Sequence, residues 1–300
     1  MVAAGLTLFT RHKIIKTYDK PMKELAKAAD KVAHGDFSVY IPPIHPSDRH
    51  DYLDLMFLDF NKMGAELGSI ETMRTDFIAN VSHEIKTPLA GIQNYAQLLR
   101  RPGLTREEQE SCIASILSST RRLSALVTNI LKLNKLESQQ IVPRCEPFDL
   151  CGQLSDCAMS FEPVWEEKRI VFEAELEDRA TIYGDASLME LVWNDLLSNA
   201  FKFTEPGGLV TLRQTSDGAH VTVSVSDTGC GIAPEAQRHI FDKFYQGDTS
   251  HATEGNGLGL ALVLRVLQLM DAAIQVESAE GRGTTFTVQI PVHREEREND

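Results

Sequence analysis

The first part of the chain repeats apolar residues with the period of an amphipathic helix. Residues 11–34 carry such a repeat, and Gly35 is expected to end the helix. Residues 41–47 hold three prolines in seven positions, which excludes regular helix and predicts an extended connector. A second helical repeat follows. The apolar positions of the two helices are Ile14, Tyr18, Met22, Leu25, Ala29 and Val32, then Leu55, Leu58, Phe60, Met63 and Leu67.

A helical hairpin is predicted next. Residues 101–103 (Arg-Pro-Gly) end its first helix, and Thr105 with Glu108 forms a capping box that opens the second, which runs to about residue 137. One hairpin with a single apolar stripe cannot bury that stripe alone, so we expect two copies to form a four-helix bundle. The stripe consists of Ile78, Val81, Ile85, Ile92, Tyr95 and Leu99, then Ile113, Ile116, Leu123, Val127 and Ile130.

Beyond Pro143 the pattern changes to shorter elements. Strands are predicted at residues 169–176 and 180–183, and a helix at 188–203. Alternating residues predict two further strands with one buried face. Their inward residues are Val221, Val223 and Val225, then Phe286, Val288 and Ile290. The pattern predicts an α+β sandwich with helices on one face of a mixed sheet.

Composition narrows the function. A chain of 300 residues exceeds one ordinary domain, and its 42% hydrophobic and 24% charged residues exclude a mainly disordered, collagen-like or multi-span membrane protein. The net charge of −13 argues against a nucleic-acid partner. The five cysteines show no metal-ligand spacing, so we interpret them as reduced thiols of a cytosolic chain and expect no zinc site.

The N-terminus carries an apolar run at residues 2–9, followed by basic residues. Eight helical residues rise only about 12 Å, so they cannot cross a hydrocarbon core of about 30 Å. Three interpretations remain open: the cytoplasmic end of a transmembrane helix, an interfacial anchor, or the apolar start of a soluble helix. A signal peptide is disfavoured because no basic segment precedes the run.

His83 is the candidate nucleophile. If Ile78 and Ile85 face the stripe, His83 lies on the opposite, solvated side of the helix. A lone surface histidine is usually only solvated, but Glu84 beside it can hold the proton of one ring nitrogen while the other attacks. Thr87, four residues on, shares the histidine's face and could position a water molecule for the reverse hydrolysis.

The second domain offers candidate phosphate chemistry. Asp195 and Asn199, one helical turn apart, could hold Mg²⁺ through oxygen ligands, with Lys202 nearby for phosphate charge. Residues 227–232 (DTGCGI) follow the valine strand, where a carboxylate can accept the exocyclic amine of adenine. Residues 255–260 (GNGLGL) open a helix whose first N–H groups can bind phosphate. A dinucleotide-binding motif is excluded because no strand directly precedes the latter loop.

The segment SHEIKTPL at residues 82–89 resembles the phosphoacceptor box of sensor histidine kinases, the HisKA type. The resemblance implies that His83 is autophosphorylated, that Glu84 is its acid-base partner and that Thr87 serves phosphatase activity. Residues 10–68 resemble a HAMP linker. This chain has His50-Asp51-Tyr52 at the second helix, where an Asp-Glu pair is usual in that family.

The downstream motifs resemble the N, G1, F, G2 and G3 boxes of the histidine-kinase ATP-binding domain, the Bergerat fold. The resemblance implies that Asp227 binds adenine, that Asn199 and Asp195 bind Mg²⁺, and that the residues between Phe244 and Gly255 form a mobile lid over ATP. The other residues implied to line the nucleotide site are Lys202, Phe203, Gly229, Gly231, Ile232, Lys243, Phe244, Gly255, Gly257, Leu258, Gly259, Leu260 and Thr284.

Two positions depart from the family pattern. Asp195 stands where Asn is usual, and Phe203 where Tyr is common. A carboxylate at position 195 resembles the general base of related hydrolytic ATPases. We therefore hypothesise that Asp195 is a negatively charged metal ligand and that it causes some futile ATP hydrolysis. Gln246 and His251 stand where basic lid residues are frequent, which leaves phosphate neutralisation to Lys202 and Lys243.

We predict five segments: the end of a possible transmembrane helix (1–9), a HAMP-like linker (10–68), a dimerisation and phosphotransfer domain (69–142), an ATP-binding domain (143–293) and a charged tail (294–300). The predicted function is an ATP-dependent protein-histidine kinase, a homodimer at the cytoplasmic face of the plasma membrane. It would pass phosphate to an aspartate of a response regulator. The alternatives are a Bergerat-fold ATPase and a kinase-dead phosphatase or scaffold.

Overall fold

A computed structural model describes residues 9, 11–12, 15–46, 50–138, 143–246 and 255–292. These fall into two compact units, residues 1–82 and 83–300. The predicted membrane segment, apart from Phe9, and the predicted charged tail lie outside the described residues. Within the described ranges, every helix is too short or too polar to cross a membrane.

In the first unit a short π-helical turn (Ile15–Asp19) leads into helix α1 (Lys20–Ala33), and helix α2 begins at Tyr52. The predicted order of helix, proline-rich connector and helix is therefore confirmed. Ala28, Ile41 and Phe57 form a small buried core, with Leu25, Val39, Met56 and Phe60 packed against it. Ala28 occupies the position that the repeat assigned to Ala29, because Leu25, Ala28 and Val32 share one helix face.

Asp54, near the start of α2, ties down the connector. Its buried carboxylate accepts hydrogen bonds from the backbone N–H groups of Ile44, His45 and Asp51, and the His45 Nδ1 lies 2.7 Å from Oδ2. Burial alone would raise the pKa of Asp54, but these hydrogen bonds outweigh it and hold the pKa below its ordinary value. The backbone N–H groups of Ile44 and His45 in the connector thus find their acceptor in this carboxylate, whereas the backbone of Ile41 pairs with the side chain of Asn61.

Helix α2 continues without interruption from Tyr52 to Leu99, so the predicted boundary between residues 68 and 69 lies inside a helix. Helix α3 spans Arg106–Glu137, and the predicted capping box of Thr105 and Glu108 is confirmed. Several stripe residues stay exposed in the single chain because nothing covers them there. These are Ile78, Tyr95, Ile113 and Val127.

The rest of the second unit is the predicted α+β sandwich. Its helices are α4 (Leu150–Met159), α5 (Glu162–Lys168), α6 (Ala186–Phe203), α7 (Pro234–Gln237) and α8 (Gly259–Leu269). Its strands are β1 (Glu146–Asp149), β2 (Val171–Glu175), β3 (Thr181–Gly184), β4 (Leu209–Ser216), β5 (His220–Asp227), β6 (Ala273–Ala279) and β7 (Gly283–Pro291).

The main sheet has the order β2-β4-β5-β7-β6. The β2–β4 pair is parallel and the other pairs are antiparallel, which confirms the mixed sheet; β1 and β3 form a separate antiparallel ribbon. The predicted inward residues of β5 and β7 are buried on one sheet face, where α6 and α8 pack. Register pairs the last residue of β5, Asp227, with Thr284 of β7.

Replacing Asp54 by Asn should loosen the connector, because an amide nitrogen would face N–H donors that now bond to a carboxylate oxygen. We expect faster hydrogen exchange at the amides of Ile44, His45 and Asp51. Asp59→Asn, an exposed change on the same helix, is the control and should leave these amides protected. Equal protection in both variants would show that Asp54 does not hold the connector.

Candidate functional site

His83 lies on the solvated side of α2, as the sequence predicts, with its side chain 68% exposed. Its Nδ1 is 3.7 Å from Glu84 Oε1, beyond hydrogen-bond distance, and Glu84 is largely covered. Thr87 Oγ1 donates to the backbone carbonyl of His83 at 3.3 Å. Because two thirds of the side chain is exposed, the imidazole is open to a reaction partner.

Arg122 of α3 lies between this histidine region and the glycine-rich loop at residues 255–260. One of its terminal nitrogens is 3.7 Å from Glu84 Oε2 and donates to the Gly255 carbonyl at 3.3 Å. Gln246 donates to the same carbonyl at 3.2 Å. Two segments more than a hundred residues apart in sequence are thereby joined through one guanidinium.

Asp227 ends β5 at the edge of the second candidate site. Its carboxylate accepts the Gly229 N–H at 2.8 Å. Burial raises the pKa of Asp227, and the backbone hydrogen bonds from Gly229 and Thr284 partly offset that effect. The carboxylate can also accept a hydrogen bond from an amine such as that of adenine.

Bare backbone forms the wall beside this carboxylate. A Cβ atom at Gly229 would overlap the carbonyl of Phe203, and one at Gly231 would overlap the carbonyl of Ala279. Gly231 also has a φ of +69°, a conformation that L side chains rarely adopt. The loop therefore needs glycine at both positions to lie this close to its neighbours.

The wall continues through two hydroxyl-bearing side chains. The Ile232 N–H donates to Ser278 Oγ at 2.8 Å, and that hydroxyl lies 2.9 Å from Thr284 Oγ1. Thr284 is itself buried. These contacts place the predicted residues Asp227, Ile232 and Thr284 at one end of the sheet.

The glycine-rich loop leads directly into the start of α8, where backbone N–H groups are available. The helix begins at Gly259, and the first turn of a helix has N–H groups that no intrahelical carbonyl accepts. Lys202 Nζ would lie 3.0 Å from a Cβ at Gly255, so its charge is beside the loop. Leu258 is buried and Leu260 half-buried beneath it. This is a site suited to an anion.

The loop is braced by the segment before the predicted lid. The Phe244 N–H donates to the Gly257 carbonyl at 2.8 Å, and Phe244 has a φ of +64°. Lys243 forms an ion pair with Glu137 of α3, and Lys202 Nζ lies 4.4 Å from the centre of the Phe203 ring. Of the predicted lid, residues 247–254, including His251, lie outside the described part of the chain.

Asp195 faces the start of α8. A Cβ at Gly259 would be 3.4 Å from its Cγ. Burial raises the pKa of Asp195 to about 6, and the positive charge of Lys132 on α3 partly offsets this. Asn199 follows one turn later on α6, so a carboxylate and an amide oxygen share one helix face, a donor set that fits Mg²⁺.

Three residues of α3 join the sites and were missed by the sequence analysis: Arg122, Lys132 and Glu137. Each is a charged residue on a helix with many others, and no local motif marks them. Their partners lie far away in sequence, so only the packing of α3 against α8 reveals them. Arg265 of α8 adds a hydrogen bond to the Leu136 carbonyl at 3.2 Å.

Two family models match the chain. Residues 73–139 match the His Kinase A (phospho-acceptor) domain. Residues 184–294 match the family described as histidine kinase-, DNA gyrase B-, and HSP90-like ATPase. The chain thus combines a phospho-acceptor domain with an ATPase domain, and the two matches cover more than half of it.

Individual relatives and solved structures are also similar to this chain. The sensor histidine kinase YclK of Bacillus subtilis is 28% identical over 96% of this chain, which spans 62% of YclK. The structure of full-length ShkA in complex with AMPPNP is 33% identical over 72% of this chain and 45% of ShkA, with a TM-score of 0.54. The structure of histidine kinase ThkA in complex with response regulator protein TrrA has a TM-score of 0.61 at 22% identity, covering 76% of this chain and 65% of ThkA, and shows the shared fold.

The chain belongs to the sensor histidine kinases. It spans about six tenths of the length of the curated relatives such as YclK.

Asp195→Asn should stabilise the fold at pH 7.5 in the absence of metal. Below a pKa of about 6 and above the ordinary 3.8, the folded chain binds a proton that the unfolded chain has lost, so stability falls as pH rises and the full cost is present above pH 6. We expect a gain of about 1–3 kcal/mol at pH 7.5 and a smaller gain at pH 5.

Thermal unfolding in a chelator at both pH values measures this effect, with the exposed Asp156→Asn as control. A gain that is equal at the two pH values would contradict the burial of an ionised Asp195.

Proposed function

We propose that this chain is an ATP-dependent protein-histidine kinase that phosphorylates His83. The observation that carries the proposal is the position of an exposed imidazole in the same compact unit as the glycine-rich loop, with the Arg122 guanidinium contacting both Glu84 beside the imidazole and Gly255 of the loop. The membership of the family supports it.

In the proposed reaction a neutral imidazole nitrogen of His83 attacks the γ-phosphorus of ATP. The new P–N bond forms as the bond from phosphorus to the β-bridging oxygen breaks, and ADP leaves with that electron pair. The Glu84 carboxylate stands on the Nδ1 side, which leaves Nε2 to attack. Glu84 can take the Nδ1 proton as positive charge develops on the ring.

The pocket residues would hold the donor. Asp227 would accept the adenine amine, while the start of α8 and Lys202 would bind the phosphates. Asp195 and Asn199 would hold Mg²⁺, which when bound neutralises charge on the β- and γ-phosphate oxygens. Catalysis would then rest on positioning and charge stabilisation.

The proposed partners are a second copy of the chain and a response regulator. The exposed apolar residues on α2 and α3 support pairing into a four-helix bundle, because a monomer leaves them in water. The response regulator would receive the phosphoryl group on an aspartate, and the ThkA complex with TrrA supports this class of partner.

We also propose that residues 10–68 act as a HAMP-like linker and that the chain is divided into the five segments given above. A third proposal is that the N-terminus attaches to a membrane. The helix-connector-helix arrangement supports the first, and it could transmit a signal to the bundle by shifting an existing equilibrium between kinase and phosphatase arrangements. The apolar run at residues 2–9, with basic residues after it, supports attachment to the cytoplasmic face of a membrane.

Incubation with γ-labelled ATP and Mg²⁺ should give acid-labile, base-stable label on the protein. His83→Gln should abolish it, because the amide nitrogen of Gln has its lone pair delocalised into the carbonyl and is not a nucleophile that can form the P–N bond. The exposed His220→Gln is the control and should label normally. Label that survives in His83→Gln would refute the proposed acceptor.

Thr87→Ala should lengthen the life of the phosphohistidine once ATP is removed, because the hydroxyl one turn from His83 would no longer orient water. We expect the loss of label to slow by about tenfold or more, a typical contribution of a positioned polar group. Thr87→Ser keeps the hydroxyl and should decay as the parent chain does. Identical decay in all three proteins would remove Thr87 from this role.

One observation favours a second function, ATP hydrolysis. Asp195 is a half-buried carboxylate at the proposed phosphate end of the site, and desolvation raises its pKa to about 6, a suitable value for a general base near neutral pH. An ATPase of this kind would release phosphate and leave no acid-labile label on the protein. A kinase-dead scaffold would bind nucleotide but would neither hydrolyse ATP nor become labelled.

A further inference from the structure

Arg122 occupies the junction between the donor and the acceptor. It contacts Glu84, the neighbour of His83, and it donates to Gly255 at the start of the phosphate-binding loop. Both contacts are made within one chain. The γ-phosphoryl group of a nucleotide in the pocket has to cross this junction to reach His83.

The surrounding contacts hold the ATP-binding domain on α3 of the same chain. Leu126, Leu133 and Leu136 are buried along α3, which packs on α8. Two charged residues of α3 also interact with this domain. The positive charge of Lys132 lowers the pKa of Asp195, and Glu137 forms an ion pair with Lys243. Arg122, Lys132, Leu136 and Glu137 of α3 thus all interact with the ATP-binding domain of the same chain.

We propose that Arg122 is a positioning residue that keeps the phosphate-binding loop beside the phosphoacceptor helix of its own chain, so that His83 receives phosphate from the ATP of the same protomer. The inference rests on the proposed kinase function and adds the direction of transfer to it.

The chemistry of arginine suits this bridge. Its planar guanidinium has several N–H donors and can serve a carboxylate and a carbonyl at once, whereas lysine offers a compact point charge. One Glu84 oxygen faces Arg122 while the other faces His83. Arg122 thus also orients the carboxylate that assists the imidazole.

Transfer between protomers is the competing arrangement. There the loop of one chain would approach His83 of the second chain, and the hydrogen bond from Arg122 to Gly255 of its own chain would be lost, while the contact of Arg122 to Glu84 lies within one helical hairpin and could persist. The two directions predict different behaviour in a dimer whose chains carry different defects.

Mixed dimers, isolated through two affinity tags, test the direction. One chain carries His83→Gln with an intact pocket; the other keeps His83 and carries Asp227→Asn or, as a second version, Asn199→Ala. Transfer within a protomer predicts label below about a tenth of that of the wild-type dimer. Label near half of the wild-type amount, carried by the chain with His83, would overturn the inference.

Labelling of the wild-type dimer distinguishes a failure of the proposed function from a failure of this inference. If it takes up no acid-labile label, the proposed function fails and this inference falls with it. If it labels and the mixed dimers label too, only the inference fails.

Kinetics of the homodimer test Arg122 itself. Arg122→Ala should lower the rate of autophosphorylation at saturating ATP by about tenfold to a hundredfold, the effect of misplacing reactants, with the KM for ATP within about twofold. Arg122→Lys should recover part of the rate, and the exposed neighbour Arg121→Ala should match wild type. An unchanged rate would exclude a positioning role, and a raised rate would show that the bridge restrains the enzyme.

Discussion

The nucleotide site depends on the close approach of several backbone segments around the end of β5. The carbonyl of Asp227 leaves no room for a Cβ at Gly283, just as Phe203 and Ala279 leave none at Gly229 and Gly231. These contacts bring α6, β5 and the β6–β7 turn together and set the Asp227 carboxylate in a partly desolvated position. Any side chain in this wall would displace the carboxylate that is proposed to accept a hydrogen bond from adenine, because backbone cannot move aside as a flexible side chain can.

Helix α3 connects that pocket to the phosphoacceptor. It carries no part of the predicted chemistry, yet its leucines are buried and its charged residues contact both sites. The same proximity explains the electrostatics of Asp195, where burial of the carboxylate opposes ionisation and Lys132 favours it. A carboxylate in place of the amide usual in the family is thus about half protonated near pH 6, and a bound cation would favour its ionised form.

Local patterns predicted much of this structure because local physics decides it. The capping box at Thr105 and the alternating valines of β5 depend only on neighbouring residues, and both were found from sequence. The core residue Phe57 was missed because the repeat alone does not show which side of α2 meets the connector. Asp54 and Arg122 were missed for a different reason: a charged residue on a helix is usually solvated, and their partners are set by tertiary packing.

Nucleotide binding by the full chain is the most direct test of the central claim that the carboxylate at the end of β5 defines an adenine site. Calorimetric titration should show that ATP binds more tightly than GTP, and that Asp227→Asn weakens ATP binding by about tenfold or more, as expected when a buried hydrogen bond is mismatched. The exposed Asp242→Asn should bind as the parent chain does. Equal affinity for the two nucleotides, or unchanged binding by Asp227→Asn, would contradict the account.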